Sequence, residues 1–329
     1  MKLVTYSEGR RPEARLGAIV QDDVVDLNRL DGEALARQGE PRWAATADLL
    51  LPPAMRPFLE AGEAAMKRAR KALAVVEREA ADGRRRETLA ARGILHPLAA
   101  VTLHPPVPDP RKIVCLGLNY RDHAEEVGLP IPTEPILFAK FATTLLPPGE
   151  PIVLPAVSKQ VDYEVELCIV IGRRAKNVPA AAARDYVAGY TILHDVSARD
   201  YQFRTSQWTA GKNFDTFAPC GPALVTADEV GDPHVLDISL AVNGRTLQRS
   251  NTRNLIFDVW QTVARVSTVL TLEPGDLIPT GTPGGVGFTR TPQVFLMPGD
   301  LVRLEIERLG VLENPVVAEE RERARDERP

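Results

Sequence analysis

The spacing of apolar residues changes along the chain and divides it into regions. Over roughly the first 30 residues, "KLVTY", "LGAIV" and "DVVDL" are short apolar runs separated by polar turns, which predicts three strands. From about residue 32 to 92 the chain is rich in Ala, Glu, Arg and Leu with helical periodicity, clearest in "FLEAGEAAMKRARKALAVVEREAA". The proline-dense "LHPLAAVTLHPPVPDPRK" cannot continue a helix and is read as the connection into a second domain. Beyond it "KIVCLGL", "PILFAK", "EVELCIVIG", "YTILHDVS", "DISLAVNG" and "LVRLEIERLG" predict strands, with helices confined to "PAAAARDYVAG" and "NLIFDVWQTVARVSTVL". Regular strand–helix alternation is absent, so the predicted class is α+β, mainly β. The predicted units are a small α/β N-terminal domain over residues 1–105, a larger domain over 106–317 and a frayed, charged tail over 318–329.

One strand breaks the pattern. In "VDYEVELCIVIG", Glu164 and Glu166 precede an apolar run, Cys168 to Ile171, that has no polar face and predicts a strand covered on both sides. Residues two apart on a strand share a face, so the two carboxylates stand side by side. They repel and lose hydration unless a cation lies between them, or unless the strand is an edge whose polar face meets water. A second apolar run, "TILHD", ends in Asp195. Three carboxylates without a nearby Cys or His pair suit Mg²⁺ or Mn²⁺ rather than Zn²⁺. His194 points away from Asp195 and reads as a packed or surface histidine.

Two further motifs carry chemistry. In "NYRDHAEEVG", His123 and Glu126 lie three apart on one face of a short helix that Gly128 and "LPIP" terminate. A carboxylate beside an imidazole orients it as a general base, and so short a helix can move as a lid; a surface His–Glu pair is the plain alternative. "TGTPGGVG" at 280–287 matches neither a P-loop nor a dinucleotide fingerprint. Its amides suit an anion nest, with Thr282 adding a hydroxyl, or a simple turn.

Composition narrows the function classes. The 329 residues carry a formal net charge of −4, which gives no general attraction to nucleic acid or anionic lipid. The basic clusters "KRARK" (67–71) and "RRR" (84–86) read as solvated helix faces. Cys115, Cys168 and Cys220 lack metal-site spacing and read as reduced and structural. Without a signal-peptide pattern or an 18-residue apolar run, the sequence predicts a cytoplasmic protein with no membrane partner.

Together, "GLNYRDHAEE", "EPILFAKF", "DYEVEL", "HDVSARDYQ", "GKNFDTFAPCGP" and "GTPGGVG" occur in the order seen in the fumarylacetoacetate hydrolase superfamily, which the chain resembles over about residues 110–317. It is most similar to the two-domain subgroup with an extra N-terminal domain. The resemblance implies a mixed β-roll, a homodimer and a small 2-oxo acid as substrate. It makes Glu164, Glu166 and Asp195 ligands of Mg²⁺, with Mn²⁺ as the alternative, and His123 and Glu126 the catalytic dyad on a mobile lid. Lys212 matches the active-site lysine and Gln202 the group that polarises a substrate carbonyl. Lys140 and Thr282 match positions lining the site, the threonine facing a substrate carboxylate, and Arg199 is either a substrate contact or structural. Asn119 stands where fumarylacetoacetases proper place a further aspartate, which argues against fumarylacetoacetate itself.

The expected chemistry is a metal-stabilised enolate of a 2-oxo or 2,4-dioxo acid. Hydrolysis of an acylpyruvate stands first. Oxaloacetate tautomerisation or decarboxylation, or hydroxymuconate-type isomerisation, is the alternative, and a non-catalytic dimer that binds metal and oxo acid is the second.

Overall fold

The three N-terminal apolar runs form an antiparallel meander of β1 (Lys2–Glu8), β2 (Arg15–Val20) and β3 (Asp23–Asp26) in the computed structural model, which describes residues 1–9, 13–79 and 83–320. Asp26 closes the last strand and caps the first helix, α1 (Leu27–Arg37), by accepting the Arg29 N–H at 2.8 Å. Four more helices follow: α2 (Trp43–Leu50), α3 (Met55–Glu60), α4 (Gly62–Glu79) and α5 (Gly83–Ala91). Their basic clusters do more than face water. Arg68 and Arg85 bind the buried Asp31 and Glu33 of α1, and Arg86 binds Asp23 of β3.

The proline-dense segment is not a bare connection. It forms β4 (Leu95–Pro97), paired with β3, and β5 (Val101–His104), paired with β1. Its prolines lie at strand ends and between strands, where no ladder N–H is needed.

The second half supplies β6 (Ile113–Gly117), α6 (Arg121–Glu126), β7 (Ile136–Lys140), β8 (Leu145–Leu146) and β9 (Ile152–Leu154). Next come β10 (Val161–Asp162), β11 (Val165–Ile171), β12 (Val187–His194) and β13 (Ser197–Ala198). Two short helices, α7 (Arg199–Gln202) and α8 (Thr209–Lys212), lead to β14 (Ala218–Thr226) and α9 (Ala227–Val230). The chain then forms β15 (Asp237–Val242), β16 (Arg245–Asn251), α10 (Val259–Val269), β17 (Leu277–Pro279), β18 (Leu301–Ile306) and β19 (Gly310–Ala318). The helix expected over "PAAAARDYVAG" is a 3₁₀ run, Ala180–Tyr186, and Val187 already belongs to β12. Of the tail expected from residue 318, Ala318 ends β19, and 321–329 lie outside the described residues.

The class is α+β. An open mixed sheet follows the order β4-β3-β2-β1-β14-β12-β11-β17-β6-β7, and a smaller sheet follows β16-β15-β18-β19-β9. Pairing of β1 with β14 joins the N-terminal meander to the larger sheet. Strand β11 lies between two cores, as its unbroken apolar run requires. Val165, Leu167, Ile169 and Ile171 face the smaller sheet and α10, whereas Cys168 and Val170 pack in a cluster with Leu27, Leu30, Phe58 and Leu73 of the N-terminal helices. Glu164 and Glu166 continue the second alternation to the end of the strand, where the helices no longer cover it.

Asp26 ties the N-terminal unit together, accepting from Tyr6 Oη at 2.8 Å and Arg15 Nε at 2.6 Å while wholly buried. Replacement by Ala leaves the buried Tyr6 phenol without its acceptor and the partly buried Arg15 guanidinium with Asn28 alone. Urea unfolding of Asp26→Ala is expected to show a loss of about 3 kcal/mol, in the range for breaking a buried ion pair from one side.

Candidate active site

Asp195 follows β12, Glu164 immediately precedes β11 and Glu166 is its second residue, so the pairing of the two strands brings the carboxylates together. One carboxylate oxygen each from Glu164, Glu166 and Asp195 lies within 4.8 Å of the other two, and all three residues are buried. Like charges so close require compensation, and buried cations provide part of it. Lys212 Nζ donates to Glu164 Oε2 at 2.8 Å and to Asp195 Oδ2 at 2.7 Å. Lys140 Nζ donates to Asp195 Oδ1 at 2.7 Å and to the Lys212 carbonyl at 2.5 Å. Arg199 spans Glu164 Oε1 at 2.6 Å, Asp162 Oδ2 at 2.9 Å and Gln202 Oε1 at 2.8 Å.

These contacts assign roles that the motifs left open. Arg199 commits one N–H each of Nε, Nη1 and Nη2 to the protein, so it positions the carboxylates while still lining the cavity. Because Gln202 accepts through Oε1, its amide NH₂ is left to face the cavity as a donor. Lys140 is a correction: it does not line the cavity but lies behind Asp195. Thr282 differs from Lys140. It lines the cavity, yet its hydroxyl donates to Val165 O at 3.0 Å and accepts from Gln248 Nε2 at 2.9 Å, so its proton is committed to the protein.

The glycine loop is an anion nest whose anions are the protein's own carboxylates. Gly281 N donates to Glu166 Oε2 at 2.8 Å, Gly285 N to Glu126 Oε1 at 3.0 Å, and Gly287 N and Phe288 N to Asp162 at 2.7 and 3.1 Å. Gly281 and Gly285 have φ of +93° and +102°, a conformation that aims successive amides at separate acceptors and disfavours other residues.

Helix α6 ends where expected, with Gly128 at φ +67°. His123 Nδ1 lies 3.2 Å from Glu126 Oε2, and His123 lines the same cavity as the carboxylates. Glu126 also accepts from Thr289 Oγ1 at 2.8 Å, so the carboxylate that orients the imidazole also latches the helix to the loop. Burial raises the Glu126 pKa, but the hydrogen bonds from His123, Thr289 and Gly285 outweigh it and hold the carboxyl below its ordinary range. His194 is a packed histidine. Burial, with Lys140 adding to it, lowers its pKa to about 3, and both ring nitrogens lack a hydrogen-bond partner.

Glu166 is the observation that tests a metal. Among the described residues no Lys or Arg pairs with it, and its one hydrogen bond comes from Gly281. Burial pushes its pKa well up, and the Asp195 and Glu164 charges push the same way. Counting Asp162, Glu164, Glu166 and Asp195 against Lys140, Arg199 and Lys212 leaves four buried carboxylates facing three cations. A divalent cation held by Glu164, Glu166 and Asp195 would turn that single excess negative charge into a single positive one, suited to an anionic substrate, and an all-oxygen donor set suits a hard ion.

The cavity above the carboxylates measures about 290 Å³ and is lined by Glu164, Glu166, Lys212, Arg199, Gln202, His123 and Thr282 together with apolar side chains. A larger one, about 850 Å³, lies beside α4 and contains none of the predicted site residues. Chemistry, not size, locates the site.

Asp162, Gln248 and Asn119 complete the scaffold. Asp162 continues the alternation of Glu164 and Glu166 one step back, a signal present in "DYEVE". Gln248 ties Val165 N to the loop at Pro283 O and Thr282, and nothing in its local sequence marks it. Asn119 spends its amide on Phe257 and Thr280, binding backbone rather than the carboxylate cluster.

The model for the Fumarylacetoacetate (FAA) hydrolase C-terminal matches residues 112–317, and that for the Fumarylacetoacetase N-terminal matches 5–106. The chain belongs to this two-domain fumarylacetoacetate hydrolase family. It is 43% identical over 321 residues to an oxaloacetate tautomerase (fahd2, mitochondrial) of Xenopus laevis, covering 96% of this chain and 90% of the relative. A maleylpyruvate hydrolase of Sphingobium sp. SYK-6, solved with manganese(II) and pyruvate, superposes with a TM-score of 0.70 at 32% identity, covering 97% of this chain and all of that one. A 5-carboxymethyl-2-hydroxymuconate delta-isomerase of Mycobacterium smegmatis gives 0.62 at 43% identity over 68% of this chain and 83% of that one. The expected cytoplasmic location stands beside a relative named as mitochondrial; among the described residues no helix is long and apolar enough to cross a membrane.

Because the Glu126 carboxyl is depressed in the folded lid, its contribution is fully present above the ordinary carboxylate pKa. It is lost as pH falls through the lowered value. Amide exchange over residues 121–127 should therefore show protection at pH 7 that fades on acidification below pH ~4. In Glu126→Gln the neutral-pH protection should already be reduced. Equal protection in both proteins at every pH would contradict the latch.

Proposed function

We propose that the protein is a Mg²⁺- or Mn²⁺-dependent 2-oxo acid enzyme that interconverts the enol and keto forms of oxaloacetate. The observation that carries the reading is the convergence, on one cavity, of an under-compensated carboxylate triad, a histidine–glutamate dyad and an outward-facing amide donor. Likeness to an oxaloacetate tautomerase along nearly the whole chain supports the choice of reaction.

Glu164, Glu166 and Asp195 would hold the ion. Bound there, a divalent cation supplies Lewis acidity toward the carboxylate and 2-oxo oxygens of the substrate. His123, with Nδ1 turned to Glu126, presents Nε2 to the cavity and moves the proton at C3. The Gln202 amide donates to a carbonyl or carboxylate oxygen where charge develops. Lys212, fixed between Glu164 and Asp195, offsets part of the negative charge of the floor. Nothing in this sequence of events requires a water molecule as reactant.

Hydrolysis of an acylpyruvate, placed first on sequence alone, is the second reading. The likeness to maleylpyruvate hydrolase supports it, and it uses the same residues with a water beside His123.

A proton NMR time course on metal-stripped protein with oxaloacetate or acetylpyruvate, with and without Mg²⁺, tests both. The expected result is Mg²⁺-dependent keto–enol exchange of oxaloacetate without pyruvate. Pyruvate with acetate from acetylpyruvate would instead establish hydrolysis, and pyruvate with CO₂ from oxaloacetate decarboxylation. Glu164→Gln keeps the shape and one of the two acceptors used by Arg199 and Lys212, and removes the charge. It should cut the exchange rate by roughly 10²–10³, the scale of losing one preorganised electrostatic group. Activity that survives this change would sink the metal-dependent reading.

A further inference from the structure

The cavity has a polar floor and aromatic walls, and the floor alone accounts for the chemistry above. Phe138 and Trp208 pair edge-on with ring centroids 5.4 Å apart on one side, and Phe203 and Phe288 pair at 5.6 Å elsewhere along the wall. Trp208 lies in "FRTSQWTAG", between α7 and α8, and has a seat made for it. A Cβ on Gly117 would come within 2.3 Å of Trp208 Cζ3, so only glycine lets the indole lie there. Phe203 is 57% exposed although it lines the cavity, an apolar ring with one side left in water.

The charges near these walls are already committed. Lys212 lies 5.0 Å from the Phe138 ring and Arg199 4.5 Å from Phe288, but both are bound to carboxylates of the floor. Among the described residues the cations lining the cavity are Arg199 and Lys212, both bound to carboxylates, whereas an apolar group at the walls exchanges water for aromatic contact. A four-carbon acid anchored at the carboxylates leaves most of the walls uncovered.

We infer that the site takes 2-oxo acids with an apolar, aromatic arm at C3, and that Trp208 is the residue that selects the arm. This rests on the 2-oxo acid reading of the floor and names the substrate class it serves. The reaction with such an acid balances without a co-reactant: the C3–H bond breaks, an O–H bond forms at the C2 oxygen, and His123 carries the proton.

Phenylpyruvate and pyruvate differ only in the arm, so their affinities isolate it. With Mg²⁺ present, calorimetry on the wild-type chain should give about tenfold or more tighter binding of phenylpyruvate, as expected for burying one aromatic ring. Its keto–enol exchange, followed by enol absorbance, should be accelerated. In Trp208→Ala the phenylpyruvate-to-pyruvate affinity ratio should fall at least fivefold. Phe203→Ala serves as the second variant, because that ring is half in solvent and its loss leaves the core intact.

Equal affinity for the two acids in the wild type, or a ratio that neither variant changes, overturns the inference. Oxaloacetate exchange is the separate control. Exchange without preference for phenylpyruvate removes the aromatic arm and leaves the proposed reaction. Preference without oxaloacetate exchange removes the tautomerase reading and leaves the arm.

Discussion

Four carboxylates buried side by side are the constraint around which this molecule is arranged. Asp162, Glu164, Glu166 and Asp195 could not share so small a volume as bare anions, and ion pairs with Lys140, Arg199 and Lys212 compensate only part of the charge. Backbone amides compensate another part, and apart from that of Tyr163 these come from a single glycine-rich loop. That loop also holds Glu126, so one segment sets the spacing between the carboxylate floor and the His123 dyad. Breaking any one partner exposes the others to an uncompensated buried charge. The site is therefore rigid for an electrostatic reason, and its one unpaired member, Glu166, is where an added cation lowers the energy most.

The surrounding fold meets the same demand at longer range. Strand β11 can present Glu164 and Glu166 on one face only if the rest of that face is sealed from water. The N-terminal helices do the sealing, because Leu30, Phe58 and Leu73 share a cluster with Cys168 and Val170. The β1–β14 pairing fixes those helices against the larger sheet. The N-terminal segment thus contributes to the site without supplying a residue to it. Its internal ion pairs, Arg68–Asp31 and Arg85–Glu33 among them, explain why basic clusters that read as solvated faces are partly turned inward.

Much of this was legible in the residues, and the part that was not has a common physical character. Alternation along "EVELCIVIG" placed the glutamates and predicted the double burial. The breakers after "DHAEEVG" predicted the short helix, and six motifs in one order placed the family. What escaped depends on contacts between segments distant in sequence. Whether a lysine lines a cavity or lies behind an aspartate cannot be read from "FAKF", and the Thr282 hydroxyl is committed only because Gln248, on another strand, reaches it. The strands in the proline-dense segment escaped for a different reason: proline forbids a helix and says nothing against an edge or a strand end. Asp162 was readable, since it repeats the same two-residue step as its neighbours.

The floor by itself does not choose among proton transfer, decarboxylation and hydrolysis, because its side chains are occupied with one another. The choice belongs to what closes over it. Hydrolysis requires a water held beside His123 by polar partners. In the proposed reaction the Gln202 amide and the carboxylates of the floor serve the substrate and the ion, while Leu116, Leu118, Val127, Phe138 and Phe288 offer a water no polar partner. The Glu126 latch holds the helix whose His123, with Val127 just beyond its end, lines the same cavity, so one contact fixes both the base and part of the apolar wall. Proton transfer loses nothing by this exclusion and gains from the lower local dielectric. Apolar walls of this kind favour the proposed proton transfer over admission of a nucleophile, because the catalytic groups are common to both readings.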